Sequence, residues 1–166
     1  MAPASRFAVH RAERMDDAPR EWRRDEFLIS TDRRRIDIDV VHRYLSGSYW
    51  AAGMPRETLE RAIRNSLAFG IYQGAQLVGF ARVITDRATY AYLSDVFVLE
   101  SHRKRGLSKW LMECVLRHPD LQGLRRFALF TRDAQGLYER YGFEPPRGPS
   151  TYLERRTPNV YVAPES

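Results

Sequence analysis

The apolar positions change period several times along the chain. Residues 1–24 show no period at all: Arg11, Arg14, Arg20, Arg23 and Arg24 are mixed with Glu13, Asp16, Asp17 and Glu21. That pattern predicts a basic N-terminal extension, mobile or loosely docked. Residues 26–30 (Glu-Phe-Leu-Ile-Ser) predict a short strand, bounded by Thr31 and Asp32. From Asp37 to Leu45 the period becomes helical, with Asp37 as cap and Ile36 and Val41 at the staple positions. A second helix is predicted to start near Pro55, carry Leu59, Ala62, Ile63, Ser66 and Leu67 on one face, and stop at Gly70. The period then switches to two. Strands are predicted over 69–73, 77–85 and 90–99, joined by turns at Gly74 and 86–89. A helix over 105–117 buries Leu107, Trp110, Leu111, Cys114 and Val115. A strand over 126–131 follows, then a short helix over 134–141 with Asp133 as cap and Gly142 as a left-handed stop, and a last strand over 151–156.

Three strands joined by short turns form an antiparallel meander, and the strand-helix-strand after it adds a parallel partner. The order predicts a mixed α/β sheet with helices on both faces, as one domain over 25–166. The chain has 166 residues, enough for one self-sufficient core. Its single cysteine, Cys114, excludes an internal disulfide framework and a Cys-rich zinc site, and the four histidines have no metal-ligand spacing, so no metal is expected. No apolar run reaches membrane-span length and no signal-peptide core is visible, so a cytoplasmic protein is expected, with no membrane partner.

The formal net charge is +6, which favours anionic partners. The densest basic cluster, Arg103-Lys104-Arg105-Gly106-Leu107-Ser108-Lys109, joins a strand to a helix. The first N–H groups of a helix lack internal partners and carry partial positive charge. A glycine there lets a phosphate approach the backbone, so the segment reads either as a phosphate cradle or as a plain basic turn. It is neither a P-loop nor a Rossmann fingerprint, because the further glycines and the Gly-Lys-Ser/Thr run are missing.

This segment resembles the cofactor motif Q/R-x-x-G-x-G/A of the GNAT superfamily of N-acetyltransferases. Arg103 and Gly106 match it, and Ser108 replaces the final small residue. Upstream, Val96-Phe97-Val98 is similar to the family's V-x-V strand. Downstream, residues 134–143 are similar to its A-x-x-L-Y-E-x-x-G-F motif. The resemblance spans roughly residues 25–156. It implies a GNAT-like fold with splayed central strands. It also implies transfer of an acetyl group from acetyl-CoA to an amine, small molecule or peptide, by direct attack in a ternary complex. It places the phosphates on residues 103–109, pantetheine on Val96, Phe97, Val98 and Thr131, and the proton donor for the leaving thiolate on Tyr138.

The general base is not supplied by the resemblance. Strand alternation puts Tyr92, Ser94, Val96 and Val98 on one face and Leu93, Asp95 and Phe97 on the other. Asp95 is the nearest carboxylate and by that parity looks away from the acceptor; it is held as a candidate base beside a structural role. Tyr49, Trp50 and Arg82 are candidate acceptor contacts, each with a packing or solvated alternative. A non-catalytic acyl-CoA-binding or regulatory domain on the same fold is the rival function. Nucleic acid is disfavoured, since no RNA-binding aromatic motif appears. A homodimer is a possible assembly, and the residues do not decide it.

Overall fold

The computed structural model describes residues 18–161. One six-stranded sheet, in the spatial order of the chain, forms the middle layer. Its strands are β1 (Glu21–Arg24), β2 (Phe27–Ser30), β3 (Leu67–Gln73), β4 (Gln76–Thr85), β5 (Tyr90–Val98) and β6 (Arg126–Leu129). All neighbours are antiparallel except β5 and β6, which run parallel. Helices α1 (Ile38–Ser46) and α2 (Arg56–Arg64) cover one face, and α3 (Leu107–Leu116) and α4 (Gln135–Glu139) the other. The expected mixed α/β architecture is therefore present.

Each face carries its own core. On the α3 side, Phe69, Ile71, Val83, Ala91 and Leu93 pack against Leu107, Trp110, Leu111 and Val115. On the other side, Ala68, Tyr72, Phe80 and Phe97 pack against Val41, Leu45, Leu59 and Ile63. Cys114 lies in the α3 core, and burial pushes its thiol up to about 12.

Local chemistry explains the element ends. Asp37 caps α1 by accepting from the N–H groups of Asp39 (3.0 Å) and Val40 (3.1 Å), and the staple residues Ile36 and Val41 are both buried. After α4, Gly142 takes φ +82° and the Phe143 N–H returns to the Tyr138 carbonyl at 3.3 Å, the expected Schellman-type stop.

Four expectations need correction. Part of the presumed extension is a strand: Glu21–Arg24 pairs with β2 along its whole length. The expected mobility of residues 1–17 lies outside the described residues. Helix α2 ends at Arg64, and Ser66 and Leu67 already belong to the turn and the start of β3. The Asn65 and Ser66 side chains bond back to the Arg61 and Ala62 carbonyls, which closes the helix early. Helix α4 is not opened by Asp133; Thr131 Oγ1 accepts from the Ala134 N–H at 3.0 Å instead. Finally, residues 151–156 form no strand. Pro149 opens a 3₁₀ turn, and Leu153 is 91% exposed, with no core to hold it on the sheet.

His118 follows α3 and is 5% exposed, packed against the rings of both Trp22 and Phe69. Its Nδ1 accepts from the Asp120 N–H at 3.2 Å, which fixes the neutral tautomer. Burial lowers its pKa, with the Asp120 charge opposing. A depressed histidine contributes stability above its unfolded pKa and loses it as pH falls through the folded one. Unfolding by urea between about pH 7.5 and about pH 5 is expected to show an acid loss that His118→Phe makes shallower. Equal slopes in the two proteins would remove His118 from the acid response.

Candidate active site

The β5–β6 pairing stops early. The ladder runs from Tyr90–Arg126 to Leu93–Leu129, whereas β5 continues to Val98. Residues 94–98 therefore present a backbone edge that β6 does not cover. A break in register accompanies the opening. On β4, Phe80 pairs with Phe97 and Arg82 with Ser94, so Ala81 faces both Asp95 and Val96. Two residues against one make a bulge, and Asp95 holds it with φ +56°, a left-handed value uncommon outside glycine.

The bulge overturns the parity expected for this strand. Beyond it, Val96 and Val98 pack in the α3 core, while Phe97 turns to the α1 side and stacks on Tyr44 at 3.9 Å. Asp95 does not look away. Its carboxylate accepts from Trp50 Nε1 at 3.2 Å, from Ser94 Oγ at 3.3 Å and from Arg82 Nε, so it sits on the same side as the candidate acceptor residues. Arg82 is correspondingly engaged: its carboxylate partner is internal rather than a substrate's.

Tyr49 and Trp50, between α1 and α2, are 52% and 42% exposed, so they form a wall rather than core. Tyr49 carries the Arg132 guanidinium 3.8 Å from its ring centre, which links the wall to the segment after β6. Tyr138 comes from α4 on the opposite face and is 8% exposed. Burial raises its pKa, and nearby Tyr49 adds to the effect. Among the described residues the Tyr138 hydroxyl has no hydrogen-bond partner. Tyr141, by contrast, donates to the Lys109 carbonyl at 3.0 Å and packs α4 on α3.

The basic segment lies at the end of β5. Gly106 is the N-cap of α3 with φ +73°, and no side chain caps the helix. Lys104 is also left-handed, at φ +63°. The two arginines of the segment are engaged elsewhere. Arg103 donates to the Val98 carbonyl (3.2 Å) and the Tyr44 hydroxyl (3.2 Å); Arg105 pairs with Glu26 at 2.6 Å and lies over Phe27. The Lys104 and Lys109 side chains are exposed and make no hydrogen bond or ion pair among the described residues, and Ser108 is half-buried. Arg24, on β1, was not legible as a site residue: it donates to the Gly106 carbonyl at 3.3 Å and covers the Trp110 ring. It is 82 positions away in the chain, so no local signal points to it. Thr131 lies just past β6 and uses its hydroxyl oxygen on Ala134.

Comparison with known proteins agrees with this geometry. A family profile for the acetyltransferase (GNAT) domain matches residues 64–145. A Gibberella zeae protein assigned as an acetyltransferase is 32% identical over 143 residues, covering 72% of this chain and 80% of that protein. A crystal structure from Xanthomonas campestris pv. campestris, of a protein assigned to the GNAT family, is 52% identical with a TM-score of 0.82, covering 84% of this chain and 99% of the other. A Clostridium acetobutylicum acetyltransferase by assignment, crystallised with acetyl-CoA, shares the fold at 12% identity and a TM-score of 0.52, covering 72% of this chain and 86% of the other. The chain belongs to the GNAT acetyltransferase family, and acetyl transfer is its general reaction class. Among the described residues no helix is long and apolar enough to cross a membrane.

Proposed function

We propose that the chain is an N-acetyltransferase that takes acetyl from acetyl-CoA and passes it to an amine by direct attack in a ternary complex. The observation that carries this reading is the opening of β5 from β6 after Leu93, directly upstream of the uncapped α3 end. The residues present fit such a co-substrate. The first N–H groups of α3 and the unpaired Lys104 and Lys109 suit a diphosphate. A Cβ built on Gly106 would meet nothing nearer than the Arg24 guanidinium at 3.6 Å, so there is room for a close approach. The acetyl-CoA complex of the Clostridium acetobutylicum relative supports the same choice.

When bound, acetyl-CoA supplies the activated thioester. The residues of this chain then divide the work. The 103–109 segment holds phosphates, with Arg103, Arg105 and Arg24 bracing the turn rather than touching the ligand. The uncovered edge at Val96, Phe97 and Val98 aligns the pantetheine arm, and Thr131 borders it. A backbone N–H near Phe97 or Val98 stabilises the thioester oxygen as the amine nitrogen bonds to carbon. The carbon–sulfur bond breaks, and Tyr138 donates its phenolic proton to the leaving sulfur. Tyr49 and Trp50 wall the amine. The amine attacks in its neutral form, and the proton it then carries in excess leaves through water, restoring the Tyr138 phenol, because the nearest carboxylate is bound by Arg82 and Trp50.

That same engagement of Asp95 favours the second reading, a non-catalytic acyl-CoA binder on the same fold. Thiol release from acetyl-CoA, screened across polyamines, amino acids, aminoglycosides and peptide N-termini, separates the two. Release with at least one class is the expected result. Thermal stabilisation by acetyl-CoA with no release for any amine would establish the second reading.

A further inference from the structure

We infer that Asp95 is a positioning residue: its carboxylate locks the β5 bulge to the acceptor-side wall through Trp50, so that the thioester edge and the wall are set together. The inference rests on the acetyl-CoA reading above. An aspartate with φ +56° needs its surroundings to hold it. Here three donors from three segments do so: Trp50 Nε1 from the wall, Arg82 Nε from β4 and Ser94 Oγ from β5 itself. The Asp95 side chain is 3% exposed and that of Arg82 is 12% exposed. A carboxylate so buried is stable only with its charge paired and its oxygens bonded.

The contacts do not stop at the indole. The Trp50 ring tilts against Tyr49 (5.0 Å) and Tyr44 (6.4 Å), and Tyr44 stacks on Phe97, the residue two places after Asp95. The Tyr44 hydroxyl in turn accepts from Arg103, at the start of the phosphate-binding segment. Bulge, wall and cradle are thus one contiguous set of packed groups. Contact alone does not establish energetic coupling, so the experiment must read it.

Calorimetric titration with two probes does this. Acetyl-CoA reaches both the cradle and the β5 edge; 3′-phospho-ADP reaches the cradle alone. Asp95→Gly tolerates the left-handed backbone but removes the carboxylate. It is expected to weaken acetyl-CoA binding about tenfold, the scale of a lost charged hydrogen bond, and to leave 3′-phospho-ADP affinity unchanged. Trp50→Phe, at a partly exposed position where folding is not at stake, is expected to weaken acetyl-CoA binding about threefold, again sparing 3′-phospho-ADP. Asp95→Asn, which tolerates the same backbone and still accepts from Trp50, should restore part of the loss. A purely structural Asp95 would lower the melting temperature and leave both affinities as they were; that result, or parallel loss of both probes, overturns the inference. If Asp95→Gly does not fold, Trp50→Phe decides alone. A wild-type chain without affinity for acetyl-CoA would overturn both this inference and the reading beneath it, whereas wild-type binding with unaffected variants overturns this inference only.

Discussion

Tyr138→Phe is expected to lower kcat about a hundredfold while leaving folding and acetyl-CoA affinity near wild type. The ring packs in the α3-side core, edge-on to Phe143 at a centroid distance of 6.0 Å, and Phe keeps that packing. The hydroxyl makes no bond to the described residues, so its removal leaves no orphaned partner. On the proposed mechanism, what it removes is the proton donor to the leaving sulfur. Burial raises the phenol pKa, with Tyr49 and Asp133 adding to the effect, so the neutral, donating form persists past the ordinary tyrosine range. The sign matters for the pH profile. A group that must be protonated to act gives an alkaline fall in kcat, and a raised pKa moves that fall to higher pH. General acid catalysis contributes about 10²–10⁴-fold, and a thiolate is already a fair leaving group, so the low end applies. The loss belongs in kcat, since the hydroxyl matters most when charge develops on sulfur. Single-turnover thiol release, with the acceptor found by the amine screen, isolates the chemical step. A Phe variant releasing thiol at the wild-type rate there, with damage appearing only in Tyr138→Ala, would reduce Tyr138 to a packing residue.

Period and punctuation made most of the framework legible. The Asp37 cap, the two hairpin turns, the α3 stripe and the Gly142 stop are local devices, and each stands where the residue pattern puts it. The early end of α2 and the start of α4 turn on local side-chain bonds, whereas the larger misses are those where a distant partner decides. Glu21–Arg24 has one large apolar residue, Trp22, and no alternation to reveal a strand; β2 supplies its ladder, and Trp22 stacks with Phe69. Residues 151–156 look like a strand, but every one of them is exposed and none packs in a core that would hold the segment on the free edge of β6. Asp95 is the instructive miss at the site. Strand parity assumes an unbroken ladder, and one extra residue reverses the face of everything beyond it. Aspartate is among the few residues that accept a left-handed backbone, but that is too weak a signal to locate a bulge in advance. The basic motif was legible as a whole and not in its parts. Its arginines brace the turn through Tyr44 and Glu26, which no spacing rule could tell from phosphate contacts.

Gly106→Val is expected to abolish stabilisation by acetyl-CoA, the largest effect on co-substrate binding that a single change should produce. Two consequences of the substitution act together. The φ of +73° at Gly106 is one a β-branched residue rarely adopts, so the turn must rearrange or carry strain. The apo protein should therefore lose roughly 1–2 kcal/mol and melt a few degrees lower. Folding should survive, because the added carbon meets only the flexible end of Arg24 at 3.6 Å. Ligand binding should not survive. On the proposed reading a diphosphate at this helix end relies on N–H groups held by the left-handed turn at Lys104 and Gly106. Wild-type protein at a ligand concentration of about 100 Kd gains about 2.7 kcal/mol, which appears as a clear rise in melting temperature. The variant should show none, and Gly106→Ala should fall between the two. Lys104→Ala and Lys109→Ala supply the electrostatic control, since losing a screened charge should weaken binding most at low salt. If acetyl-CoA raises the melting temperature of Gly106→Val as much as that of the wild type, the phosphates are not held at this turn.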